Sequence, residues 1–250
     1  MAAPLSAVVS GVLVLLLHLG LLLVEAGTIR RKNVASVFTR GLACLMVTVV
    51  LSWVCGFALA ISEGSAFIGS STGYFGLHAL PPAAPSWFLA TAVAAVPAAL
   101  AAAPMAERGH LTGHLLVATV LAAVVLPVAA HWVWAAGGWL ATRGVADAGG
   151  AMVVHGAGGM AGLVGCLLVG RRAERRLHPS TPLPGHSLPL VALGGGLVLV
   201  GMVGKLVGLG VDLGEEGVEE RLATNVLLGG GMAAVLAMHV FKFQLRRRDR

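Results

Sequence analysis

The run Asp147-Ala148-Gly149-Gly150-Ala151-Met152-Val153-Val154-His155-Gly156-Ala157-Gly158 sets an acid and an imidazole eight residues apart among small and apolar neighbours. Polar side chains inside an apolar run are costly in lipid unless paired or hydrated, so they mark candidate functional positions. A neutral imidazole at His155 offers one donor and one acceptor, enough to pass a proton or hold a small polar solute. Asp147 is expected where a helix begins, about two turns before His155. There its carboxylate can accept from free backbone N–H groups and face the positive end of the helix dipole. Each residue also has a plainer role. Asp147 can be a helix cap and nothing more. His155 can bond a neighbouring carbonyl, since His18, His114, His131 and His239 also fall in or beside apolar runs.

Trp132, Trp134 and Trp139 cluster just ahead of that run. They can anchor a helix at a membrane interface, or offer an indole face whose quadrupole attracts a cation. Lys205 interrupts another long apolar run near its end and is expected to snorkel toward Asp212. Cys44, Cys55 and Cys166 lie in apolar runs without metal-ligand spacing, so they read as small core residues, and neither a metal nor a cofactor is expected. The sequence holds no P-loop or HExxH pattern, and no nucleophile sits beside a base on neighbouring turns, which argues against an enzyme. Its basic clusters are short and dispersed among connections, so nucleic acid is not an expected partner.

The elements that must position these residues are helices in a lipid bilayer. Of the 250 residues 57% are hydrophobic and only 11% charged, and the mean hydropathy is +0.89. An average soluble domain is about 25% charged, so a water-soluble fold would lack the polar surface to cover this chain. A helix crosses the bilayer with about 20 apolar residues, and runs of that length fall near 4–24, 41–62, 87–106, 111–134, 149–170, 187–210 and 222–241. The expected fold is all-α: one polytopic transmembrane bundle of about seven spans covering 1–250. The 35 glycines suit close helix packing in lipid.

Charge placement gives the orientation. Arg30, Arg31, Lys32 and Arg40 follow the first run, Arg108 the third, and Arg171, Arg172, Arg175 and Arg176 the fifth. Lys242, Arg246, Arg247, Arg248 and Arg250 follow the seventh. Of the 17 basic residues only Arg143 and Arg221 fall on the other side, with Lys205 inside a run. The positive-inside rule then places the amino terminus outside and the carboxyl terminus in the cytoplasm. Acids on the outer side include Asp212, Glu215, Glu216, Glu219 and Glu220. A cleaved signal peptide is the alternative for the first run. However, that run has no basic n-region, and cleavage would leave Arg30 to Lys32 outside.

Several stretches, in order, resemble the ammonium transporter family (Amt/Mep/Rh). Glu25-Ala26-Gly27-Thr28-Ile29-Arg30-Arg31-Lys32-Asn33 resembles the end of the family's first helix, and Ala106-Glu107-Arg108 the turn after its third. His131-Trp132-Val133-Trp134 with Gly137-Gly138-Trp139-Leu140 resembles its fourth helix and outer loop. Asp147 to Gly165 resembles its fifth helix, and His186-Ser187-Leu188-Pro189 the start of its sixth. The resemblance implies a fold of eleven helices in two inverted repeats of five, assembled as a trimer in the plasma membrane. This chain would hold the first repeat and two helices of the second.

The resemblance also implies a function: an outer vestibule of aromatics recruits ammonium, and a hydrophobic pore with paired histidines conducts ammonia and the proton. Trp134 would be the recruiting tryptophan, Asp147 the acid that shapes the site and His155 the first pore histidine. The matching gate positions are altered, to Leu89 and Val93 on the third helix and to Lys205 on the sixth, and Leu209 stands where the recruiting hydroxyl would be. The second pore histidine belongs to a helix beyond this sequence. The expected function is ammonium or ammonia transport across a membrane by a homo-oligomer. The alternative is a non-conducting membrane subunit or fragment that associates with a complete transporter. If Lys205 points into the pore, its ammonium group would take the place of the substrate cation.

Overall fold

The structure, a computed structural model, describes residues 4–76, 80–147, 149–177, 183–210 and 217–248. Among the described residues seven helices are long and apolar enough to cross a membrane: Leu5–Thr28, Arg31–Ile61, Ala84–Met105, Leu111–Trp134, Ala151–Val169, Leu188–Gly208 and Glu220–Val240. No strand occurs among them beyond an isolated bridge between Gly64 and Gly69. The second, fourth and fifth spans each contain a wide π turn, at Ser52–Gly56, Leu121–Val125 and Ala151–Gly156.

The first two spans overrun the boundaries that charge suggested. Glu25 was expected to end the first run and Arg40 to precede the second, yet α1 runs Pro4–Thr28 and α2 begins at Val34. The two charges face each other instead: Arg40 donates to the Glu25 carboxylate, and both side chains are buried. A paired, hydrogen-bonded charge can sit inside a bundle where a lone one could not. The third span also starts early. Its helix covers Leu80–Ala102 although the sequence there is rich in proline. Pro81 and Pro82 fall in the first turn, where the missing N–H would have had no helical partner, whereas Pro85 and Pro97 lie inside the helix.

Small residues set the packing of the first and sixth spans. A Cβ on Gly20 would lie 2.7 Å from the Gly194 carbonyl oxygen, and one on Gly194 would lie 2.7 Å from that of Gly20. The two backbones therefore touch, the close approach that small residues permit in lipid. Further along the seam, Gly208 meets Ser10 and Leu89. An apolar core forms inside: Ala7, Val14 and Leu17 from the first span, Leu89, Ala92, Val93 and Val96 from the third, and Val154 from the fifth. The outer faces are apolar too. Leu42, Met46, Val50 and Val54 on the second span are exposed at helical spacing, as are Leu116, Val120 and Val124 on the fourth. A soluble protein would not expose stripes of this size, whereas lipid covers them at no cost. The seventh span, within the helix Val218–Arg248, lies chiefly along the sixth and is otherwise exposed.

Three connections meet at one end of the bundle. Glu107, between the third and fourth spans, accepts from Arg30 Nε at 2.8 Å, from the Arg30 backbone N–H at 3.2 Å and from Asn33 at 2.7 Å. Its other oxygen lies 2.9 Å from Arg172, which follows the fifth span. Arg30 also pairs with Glu174. Burial would raise the Glu107 carboxyl. The hydrogen bonds from Arg30 and Asn33, with the charge of Arg172, outweigh that and hold it below the usual carboxylate range. Arg30, Arg108 and Arg172, which follow the first, third and fifth spans, thus gather at a single end.

Candidate functional site

The fifth span starts later than expected. Gly149 and Gly150 both take left-handed backbone, at φ 77° and 72°, and the helix begins at Ala151. That conformation is open to glycine and strained for other residues. The Gly-Gly turn folds the chain back so that Asp147, four residues upstream, reaches the helix start. Its Oδ1 accepts from the Met152 N–H at 3.1 Å and its Oδ2 from the Val153 N–H at 2.9 Å. Both oxygens go to orphan backbone donors, an N-terminal capping arrangement. His155 therefore lies about one turn into the helix, nearer its start than expected.

The first turn is wide. The His155 N–H donates to the Gly150 carbonyl at 3.2 Å, five residues back, and the Val154 N–H donates to the same oxygen at 3.0 Å. Val154 then points into the apolar core beside Val93 and Val96, and the half-buried His155 ring turns toward the sixth span. There its Nε2 meets the amino group of Lys205. Lys205 has no measurable exposure and is the largest fully buried side chain described. The snorkelling expected from sequence is not what the structure shows: the amine stays inside, on His155. Asp212, the partner expected for it, lies outside the described residues.

His155 differs here from other histidines of the chain. His114 and His239 each bond a carbonyl four residues back, His110 and Val235, at 2.9 Å. His131 is buried and ties the chain after the second span, its two ring nitrogens 3.2 Å and 2.9 Å from the Ala60 and Ser65 carbonyl oxygens. These are structural contacts to backbone, whereas His155 Nε2 is turned to a side-chain amine.

The tryptophans separate as well. Trp132 and Trp139 stack edge to face at 5.6 Å, Phe67 packs against both, and the Arg143 guanidinium lies 5.0 Å from the centre of the Trp139 ring. Trp134 stands apart. Its indole N–H donates to the Asp147 carbonyl at 3.2 Å, and its ring edge would lie 3.4 Å from a Cβ on Gly150. It is 36% exposed, so one part of the ring braces the turn before the fifth span while another remains accessible.

Leu89 and Val93 are buried in the apolar core, and Leu89 reaches Gly208 on the sixth span. The structure thus groups Trp134 with Asp147, and His155 with Lys205, at the start of the fifth span, with Leu89 and Val93 packed close by. Leu209 lies outside the residues whose side chains are described. Sequence reasoning did not anticipate the Arg40–Glu25 pair or the network around Glu107. Glu107 carried one signal, an acid among arginines in a short turn.

Comparison with known proteins bears on the chain as a whole. The model of the Ammonium Transporter Family matches residues 5–247. Ammonium transporter Amt2 of Archaeoglobus fulgidus is 30% identical over 248 residues, an alignment covering 94% of this chain and 53% of that protein. Ammonium transporter Amt2 of Haloferax mediterranei is 29% identical, covering 99% of this chain and 60% of that one. Among solved structures, a sensor Amt protein superposes with a TM-score of 0.76 at 25% identity, over 82% of this chain and 54% of the other. The crystal structure of Saccharomyces cerevisiae Mep2 gives 0.68 at 25% identity, over 82% and 48%. The chain spans about half the length of the curated relatives it matches.

Proposed function

Because the chain belongs to the ammonium transporter family, we propose that it takes part in moving ammonium or ammonia across a membrane, through a path passing Trp134, Asp147 and His155. The family is one of transporters rather than enzymes, and the seven apolar helices make this an integral membrane protein. The observation that carries the reading is the start of the fifth span. An accessible indole lies beside a capping acid, and a histidine one turn further in has its ring nitrogen turned to a nitrogen-bearing group. An indole face replaces part of the water a small cation loses, and a neutral imidazole can accept from an N–H or relay a proton.

The remaining assignments belong to the same proposal. The chain acts as one membrane domain over 1–250, in the plasma membrane, as a homo-oligomer that the family resemblance makes a trimer. Its amino terminus is outside and its carboxyl terminus cytoplasmic. The basic residues after odd-numbered spans support that orientation.

Uptake of labelled methylamine in cells lacking their own ammonium transporters tests the transport reading, with the native chain set against His155→Ala. Uptake by the native chain that the variant loses is the expected result, and native uptake no higher than background overturns it. A second reading, in which the chain does not conduct and instead associates with a complete transporter, is favoured by the Lys205 amine at His155. Its mark would be no uptake alone, with altered uptake when the chain is co-expressed with a complete transporter.

A further inference from the structure

We propose that the Lys205 side chain is a tethered occupant of the amine subsite at His155, so that the native chain binds no free ammonium there and removal of the lysine opens a site for a short primary ammonium ion. The proposal rests on the reading of His155 as part of an ammonium path and deepens it: uptake by the native chain then requires the Lys205 amine to leave the imidazole while an ion passes.

Four observations converge. Lys205 is wholly enclosed although a lysine near a helix end ordinarily extends its amine to the interface. Its amino group is directed at the one described histidine whose ring nitrogen faces a side-chain amine rather than a carbonyl. The neighbouring backbone leaves it little other course. Gly204 is packed on Leu13 and Gly208 on Ser10, so the sixth span is pressed against the first on both sides of the lysine. Asp147, an acid at this end of the fifth span, is committed to the Met152 and Val153 N–H groups, and among the described residues the imidazole is the amine's partner.

An amine donates an N–H to a neutral imidazole nitrogen whichever protonation state it holds, so Lys205 satisfies His155 as a bound ammonium ion or ammonia molecule would. The tether also gives it an advantage in concentration. A group on even a short flexible linker reaches an effective concentration on the order of millimolar, and one held in orientation reaches far more. Free ammonium must compete with that, and if Lys205 is charged it must also approach a like charge.

The test is amine binding to the full chain in detergent, read as the shift in Tm. Lys205→Ala deletes a group with the shape of n-propylammonium, so that ion is the probe, with 1-propanol and sodium chloride as controls. The expected result is stabilisation of Lys205→Ala by n-propylammonium but not by 1-propanol, no response in the native chain, and loss of the response when His155→Ala is added. Affinity in the variant should exceed that of the native chain by at least about tenfold. An equal response in native and variant chains, or none in a folded variant, overturns the proposal. If Lys205→Ala fails to fold, nitrogen-15 resonances of labelled histidine in the native chain decide. The His155 signal should stay fixed as ammonium is added, and movement overturns the proposal. A variant that binds the amine while the chain takes up no methylamine keeps this inference and removes the transport reading.

Discussion

At its start the fifth span is held by contacts to backbone and by one side-chain pair: the Asp147 carboxylate on two N–H groups, the Trp134 indole on a carbonyl, two glycines in left-handed turns and the His155 ring on Lys205. At its far end the connection to the sixth span is held by charges. Arg172 and Glu174 join Arg30 and Glu107 from two other connections, and Arg108 donates to the carbonyl of Gly170. One end is built chiefly by local chain folding, with contacts a few residues along the chain and single bonds to the fourth and sixth spans. The other is built by long-range pairing that ties three connections together. Local folding can aim a side chain at a site, as the Gly-Gly turn aims His155. Long-range pairing instead fixes which helices are neighbours. The difference teaches that the site end can change its occupant without altering the order of the helices, because that order is secured elsewhere.

The largest effect should come from breaking the secured end. Glu107 has a side chain only 2% exposed and carries both bridging arginines. Glu107→Gln keeps its shape and removes the charge. A loss of about 2 kcal/mol is expected in thermal unfolding in detergent, below the cost of breaking a fully buried pair because the arginines are partly in solvent. Acid should mimic the substitution. The native carboxyl is held below its ordinary value, so its contribution is complete above the usual carboxylate range near about pH 4 and falls away as pH drops through the lowered native value. Native and variant stabilities should therefore converge in acid, and a constant gap would refute the charge pairing.

The same contrast explains what could be read in advance. The seven spans were legible because lipid demands long apolar runs and tolerates few interruptions. The resemblance pointed to Trp134, Asp147 and His155 because those residues stand in one contiguous block. Two features were not legible, for one physical reason. Glu25 and Arg40 looked like helix boundaries because a single charge in lipid is costly, and only the fold shows that each neutralises the other. Lys205 looked like a snorkelling residue because its neighbours in sequence are apolar, and its partner lies fifty residues back on another helix. Sequence reports what a residue costs alone, whereas pairing across helices is a property of the packed bundle.

At the site end a smaller loss is expected from Asp147→Ala, about 1 to 2 kcal/mol, the range for removing an N-terminal cap. The comparison makes this prediction specific. If the end is held locally, amide exchange should speed up at Met152 and Val153, the two donors that lose their acceptor, while the Glu107 network stays protected. Exchange that rises equally at both ends would show that the two regions are not independent and would remove the basis of the contrast.

The smallest effect should follow Trp134→Phe, which retains a ring and removes only the indole N–H that donates to the Asp147 carbonyl. A neutral hydrogen bond at a partly exposed position is worth about 1 kcal/mol or less, so stability should hardly change. Position should change more. With that bond gone, the turn through Gly149 and Gly150 loses its brace to the fourth span, and the Asp147 cap is left to hold the start of the fifth span alone. If Trp134 is there only to brace the turn, phenylalanine should lower amine binding in the Lys205→Ala chain slightly, through a looser His155. If its exposed face also meets the arriving cation, the loss should persist when the turn is stiffened by other means and should grow with Trp134→Leu, because an aliphatic chain offers no quadrupole. Equal binding in the Phe and Leu variants would assign Trp134 to the architecture of the turn and take it out of the path.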